Sequence, residues 1–145
     1  MIIQIPKKDS IIFHYIPYNN KLKPIANIKF EYIGGKSLSL LALIDSGADT
    51  SCSFVEIGKK LGIDFDDFDK ERNVAYGIKG EGIPGYRAPI KYTIGGHEIY
   101  EEVTWLDTKF NPQTSYLFIL GRIKIFNEFD IVFQEHMKRI IFRKI

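Results

Sequence analysis

The chain is poor in cysteine: of 145 residues only Cys52 carries a thiol. One thiol closes no internal disulfide, so the core alone must hold the fold, and a reducing cytoplasm suits it. Histidine is scarce as well. His14, His97 and His136 lie far apart, and with one cysteine they offer no zinc-ligand spacing. No metal and no cofactor are expected. Neither sign of charge is in excess, since twenty Lys and Arg stand against eighteen Asp and Glu. That balance leaves no electrostatic footprint for nucleic acid. Long apolar runs are missing too. The longest, residues 38–44, is interrupted by Ser39 and falls far short of a bilayer span. Ile2, Ile3 and Ile5 are broken off by Pro6, Lys7 and Lys8, so no secretory leader is read there. With no repeat and no low-complexity tract, the expectation is one cytoplasmic domain over residues 1–145, without a membrane segment.

What the chain has instead is short β-type sequence and enough apolar residues, 45%, to build a core. Residues 11–16, 25–33, 38–44, 88–94, 98–106 and 116–120 read as strands. Turn signals separate them at Asn19-Asn20, Gly34-Gly35, Gly95-Gly96 and Asn111-Pro112. Ile28, Phe30 and Tyr32 alternate with Asn27, Lys29 and Glu31, the pattern of a half-buried strand. Ser53 and Glu56 match a capping box, opening a helix in which Phe54, Ile57 and Leu61 share a face and Gly62 gives the stop. A second helix is expected over 122–129, and residues 130–145 read as a final hairpin with a basic, solvated face. Residues 64–73 are acidic but lack the central Gly and closing Glu of a calcium loop, so they read as a solvated connector. Trp105 reads as core and Cys52 as a buried structural thiol. The fold class expected is all-β with two short helices, a closed or sandwich-like barrel built on non-local pairing.

The segment that carries chemistry is Asp45-Ser46-Gly47-Ala48-Asp49-Thr50, which follows the apolar run directly. A strand that ends in Asp-Ser-Gly holds one carboxylate at a tight turn. Asp45 supplies the carboxylate, and Ser46 a hydroxyl that can lock the turn. Gly47 permits close backbone approach, and Ala48 is small where the turn packs; Asp49 and Thr50 complete it. Such a carboxylate is half of what aspartic-protease chemistry needs: two carboxyls about 3 Å apart sharing one proton, one activating water and the other donating to the substrate carbonyl.

Two motifs in order, strand–Asp-Ser-Gly-Ala-Asp and, late in the chain, Ile119-Leu120-Gly121-Arg122, resemble the signatures of the retroviral-type aspartic proteases (retropepsins). Between them the glycine-rich run Tyr76, Gly77, Ile78, Lys79, Gly80, Glu81 and Gly82 is similar in composition to the family's flap, and no Walker lysine follows it. The resemblance covers roughly residues 25–145. It implies a closed acid-protease barrel with one lobe per chain, Leu120 and Gly121 packed under the active-site turn, Arg122 paired with Asp49, and a flap that closes over a peptide or protein substrate with Tyr76 lining the pocket. The stretches 64–73 and 107–115 are departures from the minimal viral pattern.

Only one Asp-Ser-Gly copy is present, so the second carboxylate is most economically the symmetry mate of Asp45 in a homodimer. Ser46 would then hydrogen-bond across the interface, and the β-rich termini would add to the pairing. Two other readings stay open at this point: a non-catalytic peptide-binding or dimerisation module of the same fold, and an unrelated β-barrel in which the motifs coincide.

Overall fold

A computed structural model describes residues 10–77, 79–112 and 115–145. In chain order the strands are β1 (Ser10–His14), β2 (Ile16–Tyr18), β3 (Lys21–Lys23), β4 (Ile25–Glu31), β5 (Ser37–Ile44) and β6 (Cys52–Phe54). Helix α1 (Val55–Lys60) and a 3-10 turn (Phe65–Asp67) precede β7 (Glu71–Tyr76), β8 (Gly82–Ile94), β9 (His97–Leu106) and β10 (Phe118–Leu120). Helix α2 (Ile125–Glu128) leads into β11 (Phe129–Gln134), a second 3-10 turn (Glu135–Met137) and β12 (Arg139–Lys144). The expected class, all-β with two short helices, is what the chain adopts.

One sheet runs in the order β4-β5-β10-β6-β9-β8-β7, and β4 also pairs with β8. That extra pairing, Lys29↔Thr93 to Glu31↔Lys91, closes six strands into a barrel and leaves β7 outside it. β8 can serve three neighbours because it is long: 13 residues against β7 at one end, β9 along its length and β4 at the other end. Alternation decides what faces inward. Ala88, Ile90, Tyr92 and Ile94 of β8, and Ile99, Val103 and Trp105 of β9, are buried against Ile28 and Phe30 of β4. Trp105 is fully buried and its indole N–H donates to the Ala88 carbonyl at 3.1 Å. Phe118 stacks on Phe30 with centroids 4.1 Å apart. A separate sheet, β1-β12-β11, packs Ile140, Phe142 and Phe129 onto the same core.

The crossover that positions the site is between β5 and β10. They lie parallel, Ala42↔Phe118 to Ile44↔Leu120, so the chain leaves both strands side by side.

Several expectations are corrected. Ser53 is not a helix cap: it sits in β6, and its hydroxyl donates to the Leu117 carbonyl at 2.6 Å. Glu56 stays in the first turn of α1, but its carboxylate accepts from the Phe110 amide at 2.9 Å instead of closing a capping box, so tertiary partners override the local pattern. The second helix is a single turn, because Phe129 already belongs to β11. Residues 64–73 are not a plain solvated connector. Asp64 caps the 3-10 turn by accepting from the Asp66 amide, Phe65 is buried against Trp105, and β7 begins at Glu71. Residues 11–16 split between β1 and β2, each in a different sheet. Ile2, Ile3 and Ile5, expected to help pair the termini, lie outside the described residues, as does Ile78. Among the described residues no helix is long and apolar enough to cross a membrane.

Candidate active site

Asp45 is the first residue beyond β5. Its amide donates to the Leu120 carbonyl at 3.0 Å, which carries the β5–β10 pairing one step further and fixes where the turn begins. The Ala48 amide returns to the Asp45 carbonyl at 3.3 Å and closes the turn. The Gly47 amide donates to Asp45 Oδ1 at 2.8 Å and so aims the carboxylate. A Cβ on Gly47 would stand 3.2 Å from that same oxygen, which is why the smallest residue is the comfortable one here. Asp45 and Ala48 are half-buried; Ser46, Gly47, Asp49 and Thr50 are exposed. Among the described residues the Ser46 hydroxyl has no hydrogen-bond partner, so within one chain the turn is locked by amides and not by Ser46.

The turn rests on the residues after β10. The Arg122 amide donates to the Ala48 carbonyl at 2.8 Å, the Ile123 amide to the Asp49 carbonyl at 3.0 Å, and the Gly121 amide to Ser51 Oγ at 3.0 Å. Gly121 fits because it has no side chain: a Cβ would lie 2.5 Å from the Thr50 carbonyl oxygen and 2.7 Å from that of Ala48. Leu120 is fully buried beneath. The Arg122 guanidinium forms an ion pair with Asp49. With side chains 56% and 83% exposed, that pair orients the turn more than it stabilises the fold.

The glycine-rich run is a hairpin. β7 and β8 pair at Ala75↔Ile83 and Tyr76↔Gly82, and the tip is closed by Gly77 N–H to Glu81 O at 2.8 Å and Gly80 N–H to Gly77 O at 3.0 Å. Gly80 has φ +78°, a turn conformation that favours glycine. Tyr76, Lys79, Gly80, Glu81 and Gly82 are all exposed. Tyr76 is 70% exposed in the single chain. The base is anchored instead: Gly85 packs on the Trp105 carbonyl, and the Asp107 amide donates to the Pro84 carbonyl at 2.8 Å. The loop after Asp107 is held from two sides, Phe110 by Phe54 and Glu56, and Pro112 and Ser115 by the Tyr18 hydroxyl.

Cys52, read as a buried structural thiol, is half-buried on β6 opposite Ile119. Burial first, and then the Asp45 charge, push its thiol up to about 11. Glu101, near the turn, escaped the sequence reading. It shares parity with Ile99 and Val103 on the inward face of β9, so an acid at that register was legible as unusual. Glu101 Oε1 accepts from the Tyr92 hydroxyl at 2.8 Å, while Oε2 is buried without a hydrogen-bond partner among the described residues. Burial holds this carboxyl above the usual range, opposed by Ser51, Tyr92 and Lys124. Among the described residues no three His, Cys, Asp or Glu side chains gather as metal ligands.

No protein-family profile matches the chain, and neither does any curated protein. Solved structures do. EIAV protease complexed with the inhibitor HBY-793 is similar at TM-score 0.50 and 21% identity, over 74% of this chain and 88% of that one. A retropepsin-like aspartic protease from Rickettsia conorii is similar at TM-score 0.58 and 16% identity, over 92% and 89%. The retroviral protease-like domain of Ddi1 from Leishmania major is similar at 0.55 and 13%, over 86% and 96%. At these identities the likeness establishes the retropepsin-like fold, and it removes the reading of an unrelated barrel.

Proposed function

We propose that this chain is an aspartic endopeptidase that works as a homodimer, with Asp45 of each copy forming the catalytic pair. The observation that carries the reading is the Asp45 turn itself: a carboxylate aimed by the Gly47 amide at 2.8 Å, at the end of a barrel strand, on a retropepsin-like fold. Each chain supplies one such carboxyl. Two of them facing across a two-fold axis share a proton, because like charges that close do not both ionise. The ionised one takes a proton from water, and that water attacks the peptide carbonyl. The protonated one donates to the carbonyl oxygen, and the tetrahedral species collapses with protonation of the leaving amine. No covalent enzyme intermediate forms, and no cofactor enters the scheme.

The free Ser46 hydroxyl, exposed beside the carboxylate, is then available to its mate across the interface. The Asp49–Arg122 pair and the Leu120-Gly121 step hold each turn in position. The β7–β8 hairpin serves as the flap: its base is pinned and its glycine-bearing tip is exposed, the arrangement a closing lid needs to exclude water from a bound peptide. The substrate is a peptide or protein, and the lone Cys52 fits a cytoplasmic setting.

Incubation of the purified chain with a mixed peptide library, at acidic and neutral pH, tests this reading. Wild type is expected to cleave with an acidic optimum, since one carboxyl must stay protonated, and Asp45→Asn is expected to be inactive while still folded and dimeric. Cleavage that survives Asp45→Asn removes Asp45 from the mechanism. Peptide binding without cleavage by wild type would favour a non-catalytic module of the same fold.

A further inference from the structure

Ser51 is one of the residues that join the Asp45 turn to the rest of the barrel. It is fully buried, its carbonyl accepts from the Thr104 amide of β9 at 3.0 Å, and its Oγ accepts the Gly121 amide at 3.0 Å. An accepting hydroxyl still has its own proton to place, and a buried donor without an acceptor is unfavourable. The neighbouring buried acceptor is Glu101, only 5% exposed, whose Oε2 is unpaired while Oε1 is satisfied by Tyr92. Geometry brings the two together: Ser51 is hydrogen-bonded to Thr104 of β9, and its chain neighbour Thr50 lines one cavity with Glu101 and Thr104. A buried hydroxyl with a proton to place thus lies near a buried acceptor in need of a donor, and Ser51 opposes the rise in the Glu101 carboxyl.

We propose that Glu101 is a positioning residue for the Asp45 turn: its buried carboxylate orients the Ser51 hydroxyl, and Ser51 in turn holds the Gly121 amide directly beneath the turn. The relay is Tyr92 O–H to Glu101 Oε1, Ser51 O–H to Glu101 Oε2, and Gly121 N–H to Ser51 Oγ. In this relay both hydroxyls donate to Glu101, and the ionised carboxylate is the form that accepts both best. Protonation turns one oxygen into a donor and weakens the acceptor that faces Ser51 or Tyr92. The groups that bear on it are few. Tyr92 faces it from β8, Lys124 approaches from the segment before α2, and Glu128 of α2 acts on Tyr92 and pairs with Lys124 at 3.5 Å. The consequence for catalysis rests on the reading of Asp45 as a catalytic acid; the structural relay does not.

The test is built so that the two fail separately. Leu-Gly occurs twice in the chain, at Leu61-Gly62 and Leu120-Gly121. Protein labelled with carbonyl ¹³C-leucine and ¹⁵N-glycine therefore displays two amides in a carbonyl-filtered spectrum, and Gly62, at the far end of α1, is an internal control. In a pH titration the Gly121 amide is expected to shift along a curve whose midpoint lies above that of an ordinary glutamate, while Gly62 stays still. Glu101→Gln should abolish that titration, and Tyr92→Phe, which removes one donor to the carboxylate, should move its midpoint upward. A Gly121 curve that is identical in wild type and in whichever of these two variants folds would overturn the proposal. The catalytic consequence is read in the pH–rate profile: Glu101→Gln is expected to alter the acidic limb and lower kcat with KM unchanged. A relay present in the spectra alongside an unaltered profile would confine Glu101 to a structural role and overturn its positioning of the catalytic turn, whereas absence of peptidase activity in wild type would count against the proposed function and leave the spectral result standing.

Discussion

Gly121→Ala puts the support of the candidate active site under direct stress. The added Cβ would lie 2.5 Å from the Thr50 carbonyl oxygen and 2.7 Å from that of Ala48, and both are backbone atoms of the turn. No flexible side chain is available to move aside. To reach even 3.0 Å, the turn or β10 must retreat by about 0.5 Å against the bonds from Gly121, Arg122 and Ile123. Overpacking of this kind costs about 1–3 kcal/mol. For a chain of this size that corresponds to a fall in Tm of about 3–10 °C. The same shift moves Asp45: a misplacement of about 1 Å is worth about a hundredfold in rate, so half of it predicts roughly a tenfold loss in kcat. Gly96→Ala is the control. Gly96 has φ +83° and nothing within 4 Å of a built Cβ, so it carries only the left-handed backbone cost of about 1–2 kcal/mol. It should lose stability and keep its kcat. Thermal denaturation and peptide cleavage on both variants read the two effects apart. A Gly121→Ala protein with the melting temperature and kcat of wild type would refute the close-packing argument.

Two further outcomes follow from titratable groups that are half-buried or buried. A Cys52 thiol raised from 9.0 to about 11 has its thiolate fraction near pH 8 reduced about a hundredfold, so alkylation by iodoacetamide should be slower in the native protein than in urea by about that factor; equal rates would contradict its burial beside Asp45. Glu101 is held above the usual carboxylate range in the folded chain, so the folded state binds its proton more readily than the unfolded one, and stability is lost as rising pH ionises it. The melting temperature of Glu101→Gln relative to wild type should therefore be higher near pH 7 than near pH 4, and a difference that grows toward acid would contradict the assignment.

The strands and the turn were legible because their signals are local. Ile28, Phe30 and the alternating residues of β9 announce one buried face, and Asp45-Ser46-Gly47 directly follows an apolar run. Gly121 was legible only beside that turn, since nothing nearby in sequence explains a glycine whose neighbours are Ala48 and Thr50, some seventy residues away. The misreadings share the opposite cause. Ser53 and Glu56 satisfy a local capping rule, yet their side chains are claimed by Leu117 and Phe110. β7 has the burial pattern of an outer strand, exposed over its first half and broken by a register shift, so it carries no period-two signal. Phe65 and Phe68 stand in an acidic tract, and only the fold reveals the space over Gly58 and Trp105 that Phe65 fills. Glu101 was readable in principle, because an acid on the inward parity of a strand demands a partner.

The central claim is that Asp45 is half of an active site. Subunit mixing tests it most directly. Wild type and Asp45→Asn chains, unfolded together in equal amounts and refolded, should pair at random, and if each active dimer needs two intact Asp45 carboxyls the mixture should retain about one quarter of the activity of wild type at the same total concentration. Retention of one half would mean that each chain acts alone, and would contradict the account.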